Sequence, residues 1–224
     1  MLNQQLLCRE KLLKLYDYKG APNPRRVQIF LAEKGIEVPL EQVDITTGIN
    51  RQPAFLGKNP VGSVPVLELD DGTCISESVA ICRYFEALHP DPPMFGSTPL
   101  EVATIDMWLR RVEFNVMSMV GMVWINDHPL TAAMFAQNKP AAEQGRVRAA
   151  MGYKVLDDQL ASSTFIAGEA YTVVDAVALA TVDFAVDLVG VPYGDDLVNL
   201  KRWHDLVSAR PSAGAKLGPD FSVS

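Results

Sequence analysis

The feature that most constrains the fold is a proline-rich break before the middle of the chain. Of the 15 prolines in 224 residues, four lie between positions 90 and 99. Clustered prolines interrupt helices and sheets because each lacks a backbone N–H and fixes φ. Strand-like runs occur before this break and only helical patterns follow it. The sequence therefore predicts an α/β domain over residues 13–90, a linker over 91–99 and an all-helical domain over 100–210.

The first domain opens with a strand, helix, strand pattern. Lys14–Tyr18 predicts a strand, Asn23 and Pro24 predict the start of a helix, and Gly35 predicts its end. Asparagine is a preferred N-cap, proline is favoured in the first turn, and glycine is favoured just past a helix. A second strand is expected at Val38–Ile45, and a right-handed parallel crossover is the default connection.

A hairpin and a further helix complete this domain. Val64–Leu69 and Thr73–Ile75 predict strands joined by a tight Asp-Asp-Gly turn. The segment Ser76-Glu77-Ser78 predicts the start of a helix. Pro65 is unusual in a strand because it cannot donate to a ladder, so it indicates a strand start, a sheet edge or a cis bond.

The second domain shows helical spacing throughout. Thr172 and Asp175 form a capping-box pattern, which we assign wholly to folding. The expected helices cover approximately residues 100–125, 131–138, 141–161, 172–189 and 195–209.

The charge balance excludes two classes of partner. The chain has 27 acidic and 20 basic side chains, a net charge of -7. This disfavours binding to nucleic acid and to anionic membranes, since both depend on lysine and arginine. Residues 1–90 carry ten basic and eleven acidic side chains, and the remainder carries ten and sixteen. An anionic ligand would therefore meet less repulsion in the first domain.

The three cysteines, Cys8, Cys74 and Cys82, contain no Cys-x-x-Cys pair. A protein dithiol, a metal site and a disulfide framework are not expected, which favours a reducing compartment. The N-terminal residues show no secretory signal, and the apolar stretch 172–192 is interrupted by three aspartates. We therefore expect a cytoplasmic protein. Residues 1–12 are expected to be a loosely attached extension.

Several short motifs occur together in a specific order. They are the turn Gly20–Arg26, the N-P-x-G-x-V-P-x-L run at Asn59–Leu67, the pair Glu77-Ser78, and the T-x-x-D pattern at Thr172–Asp175. In this order and spacing they resemble the cytosolic glutathione transferases, and the bacterial members in particular. The resemblance covers residues 13–210.

The resemblance implies a thioredoxin-like domain followed by a helical domain, in a protein that is usually a homodimer and uses glutathione as co-substrate. It implies a cis bond between Val64 and Pro65, which frees the Val64 backbone to pair with the cysteinyl unit. Glu77 and Ser78 would hold the γ-glutamyl end, and Asn50 would help to hold the glycyl end. A helix N-terminus with a hydroxyl suits a carboxylate.

The position that activates the sulfur departs from the family pattern. Many relatives have Ser, Thr or Cys where this chain has Ala21, which cannot hydrogen-bond a thiolate. Asn23 matches an asparagine used in some bacterial members, so it is the candidate catalytic residue; it is equally consistent with an N-cap alone. The helix dipole, Arg25 and Arg26 would also favour a thiolate. Weakened activation is expected rather than inactivity.

The electrophile pocket would be lined by the first long helix of the second domain. Four residues recur at helical spacing there: Trp108, Arg111, Asn115 and Met119. Each could instead belong to the helix core or to a dimer interface.

Three functional hypotheses follow. The first is a transferase that adds the glutathione thiolate to a small, mostly apolar electrophile. The second is a glutathione-dependent disulfide or peroxide reductase, in which two glutathiones supply both sulfurs. The third is a non-catalytic binding or scaffold protein, which Ala21 keeps open.

Overall fold

The computed structural model describes residues 13–214, which form two compact units. Within this range unit 1 covers residues 13–92 and unit 2 covers residues 93–213, so the division falls inside the predicted linker. The expected N-terminal extension, Cys8 and most of the C-terminal tail lie outside the described residues.

Unit 1 contains a small sheet with helices. Its elements in chain order are β1 (Lys14–Asp17), α1 (Pro22–Lys34), β2 (Leu40–Gln42), α2 (Pro53–Leu56), β3 (Val66–Glu68), β4 (Cys74–Ser76) and α3 (Ser78–Leu88). The strand order is β2-β1-β3-β4. β1 pairs parallel to β2 and antiparallel to β3, and β3 pairs antiparallel to β4. The predicted parallel crossover is therefore confirmed.

The strand directions place the starts of both long helices of unit 1 at the same end of the strands. Because β1 and β4 are both antiparallel to β3, they run in the same direction. α1 follows β1 and α3 follows β4, so the two helices begin at one edge of the sheet, where β1 and β4 end, and they pack against each other. In register with Tyr16, Val66 and Ser76, the next residues along this edge are Asp17, Pro65 and Glu77. We call these three positions, with the helix starts beside them, the site edge.

The structure corrects two expectations in unit 1. The second strand is Leu40–Gln42, shorter than Val38–Ile45, and Ile45–Thr47 instead forms a 3₁₀ turn. α1 begins at Pro22 with Ala21 in the N-cap position, so Asn23 is the second residue of the helix and not its N-cap. Pro22 explains the earlier start, because proline fits the first helical position.

The described part of unit 2 is built from helices joined by turns and irregular segments. Its helices are α4 (Pro99–Val112), α5 (Ser118–Asp127), α6 (Lys139–Leu160), α7 (Val173–Phe184) and α8 (Val198–Ser208). α7 forms the centre of the core, with residues 173–182 all buried. The predicted capping box at its start is confirmed: the Thr172 hydroxyl accepts from Val174 N–H, and the Asp175 carboxylate accepts from Thr172 N–H.

The predicted helix at 100–125 is interrupted by a π-helical turn at Glu113–Met117. α6 packs against this turn at a glycine: a Cβ on Gly152 would lie 2.5 Å from the Asn115 carbonyl oxygen. A second glycine, Gly145, makes a similar close approach to the Met119 carbonyl. The π turn therefore lies where two backbones approach too closely for any side chain.

One further expectation in unit 2 is wrong. Residues 131–138 do not form a helix, because a 3₁₀ turn at Pro129–Thr131 is followed by turns and irregular backbone. The Thr131 hydroxyl donates to the Trp124 carbonyl, so it closes the end of α5 and does not start a new helix. The described part of the chain after Arg210, Pro211–Gly214, is a 3₁₀ turn.

Candidate functional site

The predicted ligand-binding residues of unit 1 gather at the site edge. Asn23 lies in the first turn of α1, Val64 and Pro65 precede β3, and Glu77 and Ser78 begin α3. The peptide bond between Val64 and Pro65 is cis, as the resemblance implied. Segments distant in sequence meet here because the sheet brings the ends of β1 and β4 together with the start of β3.

The start of α1 has few backbone donors. Pro22 and Pro24 have no N–H, and the Arg25 N–H is bonded to the Ala21 carbonyl. Asn23 therefore supplies the remaining N–H of this turn. Its Oδ1 is buried without a hydrogen-bond partner among residues 13–214. A buried amide oxygen without a donor requires an explanation, and a hydrogen-bond donor on a ligand at this position would supply one.

The start of α3 is more open. Ile81 N–H bonds to the Glu77 carbonyl, which leaves the N–H groups of Ser78, Val79 and Ala80 outside the helical ladder. Glu77 occupies the N-cap position with φ of 71° and no side-chain cap within the described range. Positive φ is strained for a non-glycine residue, and such strain concentrates at functional sites. Ser78 is 6% exposed, and it lies where three N–H groups and the helix dipole favour an anion.

The loop before Pro65 is held by two asparagines. Asn59, buried, donates from Nδ2 to the Ser63 carbonyl at 2.8 Å and accepts at Oδ1 from Val61 N–H. Asn50 donates from Nδ2 to the Gly62 carbonyl at 2.6 Å. Gly62 has φ of 67°, and a Cβ there would lie 2.8 Å from the Asn50 carbonyl oxygen. The N-P-x-G motif therefore shapes the loop that presents Val64.

Asn50 has a second polar atom in this loop. Its Oδ1 is buried without a hydrogen-bond partner among the described residues. Its contact with a glycyl end stays a prediction. Sequence reasoning missed Asn59 as a loop-shaping residue, although the motif that contains it was recognised.

Asp17 is a buried carboxylate at the site edge. It is 1% exposed and accepts hydrogen bonds from Gln28 Nε2 at 2.9 Å and Gln42 Nε2 at 2.5 Å. Burial raises the pKa of this carboxyl, and the two amide donors oppose that rise. Sequence reasoning missed Asp17, because nothing in its local pattern shows that it is buried between two amide donors.

Two arginines of α1 and one cysteine of α3 are buried. Arg25 and Arg26 are both buried, and Arg26 lies close enough to Cys82 to lower that thiol's pKa. Burial outweighs this effect, so the pKa of Cys82 is strongly raised. Burial also raises the pKa of Cys74. Neither thiol has the depressed pKa of a reactive cysteine.

The four predicted electrophile-pocket residues do not form one continuous stripe. Trp108 is buried, with the Arg111 guanidinium 4.4 Å from the centre of its ring. The π turn then shifts the helical phase, and Asn115 is exposed while Met119 is half-buried. The expected spacing assumed an uninterrupted α-helix. The role of these residues in substrate binding stays a prediction.

Residues 13–214 contain neither a candidate metal site nor a candidate membrane-spanning helix. They contain no cluster of three or more His, Cys, Asp or Glu side chains that could hold a metal ion. No helix in this range is long and apolar enough to cross a bilayer.

Comparison with known proteins identifies relatives over most of the chain. Glutathione S-transferase 2 of Saccharomyces cerevisiae is 33% identical over 205 residues, which are 88% of this chain and 86% of that protein. The crystal structure of a glutathione S-transferase domain-containing protein from Marinobacter aquaeolei is 37% identical, with a TM-score of 0.84. That match covers 89% of this chain and 98% of the other.

A different type of relative is the probable elongation factor 1-gamma 2 of Arabidopsis thaliana. It is 31% identical over 76% of this chain, a match that spans only 40% of that longer protein. The family models for the N-terminal and C-terminal domains of glutathione S-transferase match residues 15–93 and 115–211. With these matches and the fold described above, the chain belongs to the glutathione S-transferase family.

Proposed function

We propose that this protein is an active glutathione transferase that adds the glutathione thiolate to a small, mostly apolar electrophile. The observation that carries the proposal is the pair of open helix starts at the site edge. The Asn23 amide and the α3 N–H groups lie beside the cis Val64-Pro65 bond. Two helix dipoles directed at one edge favour a thiolate and a carboxylate together.

Each part of glutathione has a proposed partner. The Val64 backbone N–H and C=O pair with the cysteinyl unit. Ser78 and the first N–H groups of α3 bind the γ-glutamyl carboxylate, and Glu77 accepts from its ammonium group. The Asn23 amide donates to the sulfur, and Asn50 supports the glycyl end.

The chemistry needs no covalent enzyme intermediate. The thiol proton leaves to solvent as the site favours the thiolate, and the sulfur lone pair then forms the bond to the electrophilic carbon. In a substitution, the leaving group departs with its bonding electrons. In an addition, the π electrons of an activated double bond shift to its electron-withdrawing group, and the product then takes a proton from solvent. The protein contributes proximity and stabilisation of negative charge. Trp108, Arg111, Asn115 and Met119 are the proposed electrophile contacts.

We also propose a homodimer in a reducing compartment such as the cytoplasm. The outer face of α4 and the following π turn exposes Leu100, Met107 and Phe114 at seven-residue spacing, with Leu100 78% and Phe114 62% exposed. A regular apolar stripe of this kind indicates a partner surface. Light scattering of wild type and Phe114→Glu tests this: a monomeric wild type, or a dimer unaffected by the variant, contradicts it.

A second candidate function is a non-catalytic glutathione-binding or scaffold module. It is favoured by Ala21, which has no group to activate a sulfur, and by the similarity to a protein named elongation factor.

One preparation separates the candidates. Retention on immobilised glutathione is measured first, followed by turnover of a chlorinated nitroaromatic and of a mixed disulfide. Retention with nitroaromatic turnover supports the transferase. Retention with turnover of the disulfide alone indicates a reductase, and retention without turnover indicates the binding module. No retention contradicts the transferase and the reductase, and leaves a scaffold that does not bind glutathione.

A further inference from the structure

We propose that Asp17 is a positioning residue for the glutathione sulfur: its carboxylate orients the Gln42 amide, which holds the loop between β1 and α1. This inference rests on the proposed function and assigns a role to a buried carboxylate that the reaction itself does not use. Asp17 is the last residue of β1, four residues before the N-cap position of α1.

The hydrogen bonds form a chain from the sheet to the loop. Gln42 donates from Nε2 to Asp17 Oδ2 at 2.5 Å and accepts at Oε1 from the Lys19 N–H at 2.9 Å. The Lys19 N–H can only donate, so it fixes Oε1 towards the loop and Nε2 towards Asp17. Residue 17 must therefore present an acceptor oxygen to Gln42, and a carboxylate has a second acceptor oxygen for a further donor.

The same carboxylate reaches the helix that carries Asn23. Gln28 of α1 donates from Nε2 to Asp17 Oδ1 at 2.9 Å. The Asp17 carbonyl also accepts from Val43 N–H at 2.7 Å, beyond the end of β2. Asp17 therefore connects β1, α1 and β2 at the one place where the chain turns from the sheet into the helix start. Within the loop, Gly20 has φ of 104°, and the Ala21 N–H donates to the Tyr18 carbonyl at 3.0 Å.

An amide at position 17 weakens this arrangement. In Asp17→Asn, one side-chain oxygen becomes an NH₂ group that faces the amide of Gln28 or Gln42. Rotating Gln42 to accept from it would turn the Gln42 NH₂ towards the Lys19 N–H, so only Gln28 can turn its Oε1 towards the introduced NH₂ group. The two bonds to a carboxylate then become neutral amide bonds, which are weaker, and the loop is held less firmly.

A paired exchange restores the network and makes the test specific. In Asp17→Asn/Gln42→Glu, the introduced amide accepts from Gln28 through its oxygen and donates from its NH₂ group to the introduced carboxylate. The second oxygen of that carboxylate accepts from the Lys19 N–H. All three hydrogen bonds are restored, and the negative charge lies on residue 42 instead of residue 17. Position 42 is exposed, so a charged side chain is tolerated there. A residue that served stability alone would not require this pairing for sulfur activation.

The experiment measures thiol pKa and steady-state kinetics with glutathione and a chlorinated nitroaromatic. Asp17→Asn should lower kcat about five- to tenfold and raise the pKa of the bound thiol, with KM for glutathione changed less than about twofold. The paired exchange should recover most of kcat and the thiol pKa. Glu68→Gln is the matched control, because it makes the same acid-to-amide change at the opposite end of the sheet, where Glu68 pairs with Lys58 at 2.8 Å.

The outcomes distinguish this inference from the proposed function. If wild type does not bind immobilised glutathione, both the proposed function and the positioning role of Asp17 are contradicted. If wild type binds and turns over substrate, an unchanged thiol pKa in Asp17→Asn, or no recovery in the paired exchange, overturns the positioning role alone. Equal losses in Glu68→Gln also overturn it. Should Asp17→Asn fail to fold, Gln42→Ala breaks the same chain at an exposed side chain and should lower kcat similarly.

Discussion

Two helix starts of unit 2 are built differently from the two helix starts at the site edge of unit 1. In unit 2, α4 and α7 begin with complete capping boxes, Thr98 with Glu101 and Thr172 with Asp175, so side chains occupy their first N–H groups. In unit 1, α1 and α3 have Ala21 and Glu77 at their N-cap positions, and neither has a side-chain cap within residues 13–214. A missing cap typically costs about 1 kcal/mol of stability. Unit 1 leaves this stabilisation unused at the two ends where a ligand is proposed to bind.

The largest expected effect is a loss of stability when the capping box at the start of α7 is removed. Asp175 accepts from the N–H groups of Ile166 and Thr172 and from Trp203 Nε1, all buried. Asp175→Ala would leave these donors unpaired and should lower the free energy of unfolding by at least about 4 kcal/mol. Urea denaturation measures this. Thr172→Val, which keeps the carboxylate, should cost about 1–2 kcal/mol; equal losses would contradict the assignment.

The next effect should appear in binding without a matching loss of stability. Glu77→Ala/Ser78→Ala removes two charge-assisted contacts from the open start of α3. Affinity for glutathione should fall about a hundredfold, measured by calorimetry, with the unfolding free energy changed by less than about 1 kcal/mol.

The capping box of α4 offers the opposite experiment. Thr98→Ala/Glu101→Ala should lower stability and leave glutathione affinity intact. If both pairs of variants lower stability alone, the start of α3 is an ordinary helix terminus and the comparison fails.

A smaller effect is expected at the start of α1. Asn23→Ala should raise the pKa of bound thiol and reduce turnover about tenfold, since one hydrogen bond to a charged acceptor is lost. Stability should be unchanged because the buried Asn23 Oδ1 accepts no hydrogen bond within the described residues. A titration of thiolate absorbance measures the pKa, and identical curves for variant and wild type would reject the role.

Adding a cap should sharpen the comparison. Ala21 has extended backbone angles that suit an N-cap, and the Asn23 N–H is the donor a new hydroxyl would meet. Ala21→Ser should stabilise the free protein by about 1 kcal/mol or less, and it should also raise activity if the hydroxyl turns to the sulfur. Thermal denaturation with and without glutathione, together with turnover, tests this. Lower activity would mean that the cap competes with the ligand.

The smallest effect concerns pH. Burial raises the pKa of Asp17, so the folded state holds this proton more tightly than the unfolded state does. The stability that this proton contributes is complete below the unfolded pKa and is lost as pH rises through the folded pKa. As pH rises from the unfolded pKa to the folded pKa, the free energy of unfolding of wild type should therefore fall relative to that of Asp17→Asn. A constant difference would show that the carboxyl keeps its ordinary pKa.

Much of the fold could be predicted because strong local signals determine it. The proline-rich break, Gly35 and the Thr172–Asp175 box each act through their own backbone geometry, so the sequence alone locates them. The start of α1 was misjudged because Pro22 and Pro24 are both compatible with a first turn. The helix over 131–138 was wrong because the Thr131 hydroxyl bonds backward to α5.

Parts of the site depend on contacts that spacing does not reveal. Glu77 and Ser78 were recognised from a motif, but the positive φ of Glu77 arises from the turn between β4 and α3. The π turn at Glu113–Met117 lies against Gly152, an approach that no local pattern records. The link from Asp17 through Gln42 to Lys19 joins three segments through side chains, so only the tertiary structure brings it to light.

β4 is one of the two edge strands of the described sheet, and its local opening would change the site. β4 has three residues, pairs only with β3 in the described sheet and leads directly into Glu77. Short edge strands are among the first elements to open in native proteins. Each opening of β4 would separate the γ-glutamyl contacts from Val64. A ligand that binds only the closed state therefore lowers the population of the open state. Amide hydrogen exchange along residues 66–76 would thus report occupancy of the site without any measurement of turnover.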